Sequence, residues 1–247
     1  MAGHSKWKNI RLRKGKQDAI RGKTFTKISR EIIVAAKEGG GDPGTNARLR
    51  VAIEKAKDVS MPADNVKRAI DRGTGVIPGA AYEEITYEGY GPGGAAVMLE
   101  VYTENRNRTV AEIRHAFSKS GGNLAENGSV SWQFKHLGEI SVPREGRDED
   151  DFTLAAIDAG AEDVSADEEE FTVYTSIENL HSTNSSLADA GLKSTECGLT
   201  YIATNKANLA PSDIPKLIRL LEALDDLDDV QETYVNVDIT EDMYQDA

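Results

Sequence analysis

The sequence predicts an α+β protein of three domains: an N-terminal three-helix domain, then two α+β domains, one of them ferredoxin-like and inserted into the other. Three observations predict it. The 247 residues exceed the usual size of one domain, and 39% apolar with 29% charged residues suits a chain with buried cores. Apolar residues recur at helical spacing alone up to residue 75 and in mixed strand and helix patterns beyond it. A β-α-β-β-α-β order then interrupts the second region and leaves a helix and a strand behind it with no domain of their own.

The first helix carries Phe25, Ile28, Ile32 and Ala36 on one stripe until Gly39-Gly40-Gly41 ends it. "DPGTN" makes a turn, Asn46 or Thr45 caps a second helix with Leu49, Ala52, Ile53 and Ala56 inward, and Ser60-Met61-Pro62 starts a third. Val66, Ala69 and Ile70 face its core and Gly73 stops it. Past Gly75, Tyr82–Tyr90 and Ala95–Tyr102 flank "GPGG" as a hairpin, Asn105–Ser118 reads as a helix with Val110, Ile113 and Phe117 inward, and Ser129–Phe134 alternates like a strand. From residue 137 follow strand "GEISV", helix "DFTLAAIDAG", strands "AEDVSA" and "EFTVYTS", helix "SSLADAG" and strand "GLTYIATN". Helix "DIPKLIRLLEALDDL" and strand "TYVNVDI" close the chain. The expected domains are therefore 1–75, then 76–136 together with 206–247, with 137–205 inserted.

Charge is sorted along the chain. Residues 1–75 hold 18 Lys and Arg against 8 Asp and Glu, a net of +10, whereas residues 76–247 hold 11 against 34, a net of −23. A basic head on an acidic body is the sequence-level sign of a partner with a strong negative field, which binds the head and orients the rest away. Lys6, Lys8, Arg11, Arg13, Lys14, Lys16, Arg21 and Lys23 surround a single acid, Asp18. Trp7 stands among them as an anchor that packs on the helices or stacks on a base, the latter worth ~1–3 kcal/mol. The later cations Lys27, Arg30, Lys37, Arg48, Arg50, Lys55, Lys57, Lys67, Arg68 and Arg72 read mainly as solvated helix faces.

Other motifs are weaker. "GYGPGG" matches a dinucleotide fingerprint in letters, but a strand follows it where that motif needs a helix, so it reads as a hairpin turn. His4, His115, His136 and His181 are scattered, and Cys197 lacks an activating motif, so neither a metal site nor a catalytic residue is expected, and no cofactor. "DDLDD" at 225–229 and "DEEE" at 167–170 read as solvated acidic faces. Arg106 and Arg108 in "TENRNRT" fit either an anion site at a helix start or a helix capped by Asn105 or Asn107. One cysteine suits a reducing compartment, and no apolar run approaches the roughly 18 residues of a membrane span, so a cytosolic location with no membrane partner is expected.

"GHSKWKNI", "KGKQDAIRGKTFTKISREI", "GGGDPGTNARLR", "MPADNVKRAI", "YEGYGPGG", "TENRNRTVAEIRHAFSK" and "GGNLAENGSVSWQF" together resemble the YebC/PmpR family over essentially the whole chain. The resemblance implies a helical N-terminal domain with two α+β domains, no catalytic activity, and DNA binding in transcriptional regulation. Some members are instead translation factors acting on ribosomes, including at proline-rich stretches. It assigns nucleic-acid contact to Lys6, Trp7, Lys8, Arg11, Arg13, Lys14, Lys16, Arg21 and Lys23. The expected partner is DNA, or ribosomal RNA; the expected oligomeric state is a monomer. A further alternative is a small-ligand sensor working through the inserted domain.

Overall fold

The computed structural model describes the backbone of residues 17–79, 81–240 and 243 and, among these, the side chains from residue 22 onward. The described residues form two compact units. Phe134–Thr204 make one, and the residues up to Gln133 together with those from Asn205 make the other. The protein is thus mixed α+β, with N-terminal helices followed by two sheet-containing regions.

In the larger unit, helix α1 (Gln17–Gly39) packs against α2 (Ala47–Asp58) and α3 (Ala63–Gly73) around Ile28, Ile32, Ile33, Leu49, Ala52 and Ala69. One side chain sets the first corner. Buried Asn46 caps α2 by accepting from the Leu49 N–H at 3.0 Å, while its amide nitrogen donates to the carbonyls of Ala35 and Gly40 at 2.7 and 2.8 Å. It therefore satisfies orphan groups of α1 and α2 together. Gly73 sets the second contact: a Cβ there would sit 2.5 Å from the Ile33 carbonyl oxygen and 2.7 Å from the Ala36 Cβ. Only a glycine lets α3 approach α1 this closely.

Strands β1 (Glu83–Tyr90) and β2 (Ala96–Thr103) form the expected antiparallel hairpin around a 3-10 turn at Pro92–Gly94. Helix α4 (Arg106–Lys119) leads to the short β3 (Asn123–Leu124), and sequence-distant β8 (Val230–Val235) completes a sheet of order β3-β1-β2-β8. Val97, Leu99 and Val101 of β2 pack with Ile113 and Phe117 of α4 and with Leu217, Leu220, Leu221 and Leu224 of α7 (Ile214–Asp225). The expected final strand at 233–239 lies earlier. Beyond Val235 the Asn236 side chain takes over, accepting from the Ala96 N–H at 2.8 Å, and Val237 and Ile239 remain buried.

The expected strand at Ser129–Phe134 is absent. That stretch is a turn followed by a 3-10 turn at Ser131–Gln133. The N–H groups that a strand would present to a neighbour go instead to one carboxylate: Glu88, 4% exposed, accepts from Gly128, Val130 and Ser131 at 2.8, 2.6 and 2.9 Å. Burial opposes the charge on Glu88, yet these three donors outweigh it and hold its carboxyl below the usual range.

The second unit runs β4 (Phe134–Pro143), α5 (Glu149–Asp158), β5 (Asp163–Ala166), β6 (Glu170–Thr175), α6 (Leu180–Asp189) and β7 (Glu196–Ala203). Its antiparallel sheet has the order β5-β6-β4-β7, which is the ferredoxin-like arrangement. Phe152 and Phe171 stack at 3.9 Å beside Ile140, Val142, Val173 and Leu187. Helix α6 begins five residues upstream of the "SSLADAG" stretch at 185–191, because Thr183 already packs inward at 1% exposure.

Candidate nucleic-acid interface

Lys6, Trp7, Lys8, Arg11, Arg13, Lys14 and Lys16 lie outside the described residues. Arg21 lies on the backbone of α1. Lys23, two residues on, reaches Asp226 Oδ1 at 2.8 Å, and both side chains stay about half exposed.

Arg50 donates to the nearby Pro43 carbonyl at 3.2 Å, and the remaining cations of the helical region divide into two sets. The first is engaged with the β1-β2-β8 sheet or with acids of the helices. Lys27 donates to the Gln231 carbonyl at 3.4 Å, Lys37 to the Tyr82 carbonyl at 2.9 Å, and Lys55 pairs with Glu31 at 2.8 Å. Arg48 holds Glu38 at 2.6 Å and Glu84 at 2.7 Å while donating to the Tyr102 hydroxyl at 2.6 Å. That hydroxyl in turn donates to Glu100, whose carboxyl is pushed upward by burial and by the nearby Glu232, Glu84 and Glu31. Arg30 donates to the Asp228 carbonyl and pairs with Asp229 at 3.0 Å. The solvated-face expectation is therefore corrected for Lys27, Arg30, Arg48 and Lys55, because partners from Glu31 to Asp229 converge on them in space.

The second set stays unmatched. Lys57, Lys67, Arg68 and Arg72 are exposed, and none pairs with a carboxylate among the described residues. Among the described residues Arg68 bonds only neutral groups, the Asn65 Oδ1 at 3.1 Å and the Asp64 carbonyl at 3.3 Å. Arg68 and Arg72 stand one helical turn apart on α3 and line a small cleft with Asn65 and Ala69 from α3 and Ser29 and Ile33 from α1.

The "DDLDD" run corrects a second expectation. Asp225 and Asp229 are buried rather than solvated. Asp225 accepts from Thr233 Oγ1 at 2.8 Å. Asp229 accepts from Thr109, Arg108 and Thr103 at 2.5, 2.8 and 3.2 Å besides pairing with Arg30. Of the two readings of "TENRNRT", the capped start holds: Asn105 accepts from the Arg108 N–H at 3.1 Å, and the Arg108 side chain is tied to Asp229. "GYGPGG" is the hairpin turn. His136 stacks on Tyr201 at 4.2 Å, His115 and His181 are exposed, and Cys197 is a partly buried free thiol. Among the described residues no three His, Cys, Asp or Glu side chains gather as a metal site, and no helix is long and apolar enough to cross a membrane.

These features define a class: an α+β protein of two sheet-containing regions whose N-terminal helices carry an outward cationic face. The particular family follows from two matches, the TACO1/YebC protein N-terminal domain over residues 5–76 and the TACO1/YebC second and third domain over residues 82–237, and the chain belongs to this family. A "probable transcriptional regulatory protein" of Dictyoglomus turgidum is 50% identical over 246 residues, covering 99% of each chain. One of the same description from Acidithiobacillus ferrooxidans is 51% identical over 241 residues, covering 98% of this chain and 96% of the other. The crystal structure of a conserved hypothetical protein from Aquifex aeolicus, 44% identical, superposes with a TM-score of 0.85 over 91% of this chain and 93% of its own.

Proposed function

We propose that this chain is a non-enzymatic regulatory factor that binds nucleic acid, a DNA-binding transcriptional regulator of the kind that its relatives' description names. The observation that supports it is the division of cations: those facing the sheet are matched to acids and carbonyls, while Lys57, Lys67, Arg68 and Arg72 face outward unmatched on a region of net +10. In this reading residues 1–75 form the binding domain. Residues 76–136 with 206–247, and the inserted 137–205, form an acidic body that phosphate repels. Lys6, Lys8, Arg11, Arg13, Lys14, Lys16, Arg21 and Lys23 contact phosphate, with Trp7 as stacking or packing anchor. The Lys23–Asp226 pair does not oppose this, since an exposed pair contributes only ~0.2–1 kcal/mol and exchanges for a phosphate readily.

Salt dependence tests the reading. Six to eight phosphate contacts on duplex DNA give a slope of log K against log salt of roughly −5 to −7, and changing Arg11, Arg13, Lys14 and Lys16 together to Ala flattens it by ~3–4. A folded quadruple variant with unchanged affinity and slope removes the N-terminal segment from the interface. Phosphate contacts fix register without reading bases. Tight, sequence-independent binding to ribosomal RNA together with weak DNA binding would therefore shift the assignment to a ribosome-associated translation factor.

A further inference from the structure

We propose that the cleft between α1 and α3 is a dedicated subsite for one backbone phosphate, gripped by Arg68 and Arg72; this rests on the nucleic-acid reading above. Its volume is about 120 Å³, well below the ~300–1,000 Å³ of a site for a whole small molecule, so it accepts a single group rather than a base and sugar. The lining sorts by chemistry. Ile33 and Ala69 supply apolar surface, Ser29 supplies a hydroxyl from α1, and Asn65, Arg68 and Arg72 supply an amide and two guanidinium groups from α3.

Like charges at i and i+4 on a helix repel, and no carboxylate pairs with either arginine among the described residues. An anion between the two forks converts that repulsion into a shared attraction. Arg68 is already oriented for it: its Nε and one terminal nitrogen are fixed by the Asp64 carbonyl and Asn65 Oδ1, which leaves the rest of its five N–H donors to face a ligand. The Arg72 stem packs beside Gly79, where a Cβ would come within 3.2 Å of its Cγ, and its head makes no hydrogen bond or ion pair among the described residues. Gly73 completes the arrangement, because the close approach of α3 to the Ile33 carbonyl holds the two walls together.

Two measurements on the full chain test the subsite. In the first, binding of a fluorescent 20-base-pair DNA duplex and of a single-stranded RNA of equal length is followed against salt for the wild type, R68A/R72A, R68K/R72K and a K57A/K67A control. Loss of this one phosphate contact flattens the slope by ~0.9 on the duplex and ~0.7 on the single strand. R68K/R72K restores the slope, with weaker binding than wild type, because lysine keeps the charge and loses the fork. K57A/K67A flattens it less than R68A/R72A does. Both arginine heads are exposed, so the fold survives these changes, and thermal melts verify it.

In the second, inorganic phosphate is titrated while the arginine Nε–Hε resonances are followed by NMR. Those of Arg68 and Arg72 shift together, and a glutamate peptide of matched charge moves them less. If R68A/R72A remains folded and binds both nucleic acids with wild-type affinity and slope, the subsite is overturned while the nucleic-acid reading stands. If the wild-type chain binds neither nucleic acid, both fall. If the glutamate peptide matches phosphate, the site is a general acid-binding cleft and the phosphate assignment is overturned.

Discussion

Replacing Asp229 with alanine tests how the helices are fastened to the first sheet. The Asp229 side chain is 3% exposed and draws in groups from three elements: Arg30 of α1, Thr103 at the end of β2, and Arg108 and Thr109 of α4. Without the carboxylate, the Arg30 guanidinium, 12% exposed, keeps a carbonyl but loses its counter-charge, and two buried threonine hydroxyls each lose an acceptor. Those hydroxyls still bond one another at 2.7 Å, which softens their share. Breaking a buried ion pair from one side costs about 3–5 kcal/mol, to which the half-exposed Arg108 adds no more than ~1 kcal/mol. Against a native stability of ~5–15 kcal/mol this is a large fraction, and at ~2–4 °C per kcal/mol the melting temperature falls by roughly 6–24 °C.

The sign with pH is fixed by the same contacts. Burial raises the Asp229 pKa, but the Thr109 and Arg108 hydrogen bonds and the Arg30 charge outweigh it and hold the carboxyl below its usual value. A depressed carboxyl stabilises fully above its unfolded pKa of about 3.9 and loses that contribution as pH falls through the folded value. The gap between wild type and Asp229→Ala is therefore complete at neutral pH and closes only in acid. Asp229→Asn falls between the two. Hydrogen exchange adds an internal control: amides of β2 and α4 lose protection in the alanine variant, and those of β4 and β6 in the other unit do not. A variant melting within about 2 °C of wild type at pH 7 would show that Arg30 and the threonines find adequate partners without Asp229, and the reasoning would fail.

Gly73→Ala sets about 1 kcal/mol of helix propensity gained against an overpacking cost of ~1–3 kcal/mol. Because the 2.5 Å contact is with a backbone carbonyl, which cannot swing away, the variant loses stability, seen as a lower denaturant midpoint. Glu88→Gln turns an acceptor of three N–H bonds into a side chain with one donor end, costing ~1–3 kcal/mol; faster amide exchange at residues 128–131 is the readout. Since the Glu88 pKa is depressed, that loss shrinks as pH falls through the folded pKa. A fragment of residues 76–205 lacks α7 and β8 with their buried Leu217, Leu220, Leu221, Leu224, Val230 and Val235. It melts at lower temperature and less cooperatively than 76–247, and equal melting would refute the proposed discontinuous domain.

The local grammar of the fold was legible because its causes are local. Asn46 sits one residue before a helix it caps, the hairpin follows from "GPGG" between two apolar runs, and the β-α-β-β-α-β order needs only periodicity and turns. Ser129–Phe134 misled for the opposite reason. Its alternation is genuine, but its backbone donors belong to Glu88, some 40 residues upstream, and Trp132 points to solvent at 66% exposure. The cations behaved likewise. Lys23 and Asp226 are 203 residues apart in sequence, and no pattern within either stretch announces the pair. Composition located the basic head; only the folded contacts separate its engaged cations from its unmatched ones.

That separation explains how a chain of net −13 can present a cationic face at all. At physiological ionic strength the Debye length is ≈ 8 Å, so acids at the rim of the sheet would cancel the head's field if they stood unpaired near it. Asp226, Asp229, Glu84, Glu31 and Glu38 are each paired instead with a cation of the helices, and a paired charge projects only a short-ranged dipole. The cations used there cost the outward face little, because Lys27, Arg30 and Arg48 already point toward the sheet. Pairing these five acids with helix cations thus fastens the helices to the sheet and, in the proposed reading, leaves Lys57, Lys67, Arg68 and Arg72 to set the potential that an approaching phosphate would meet.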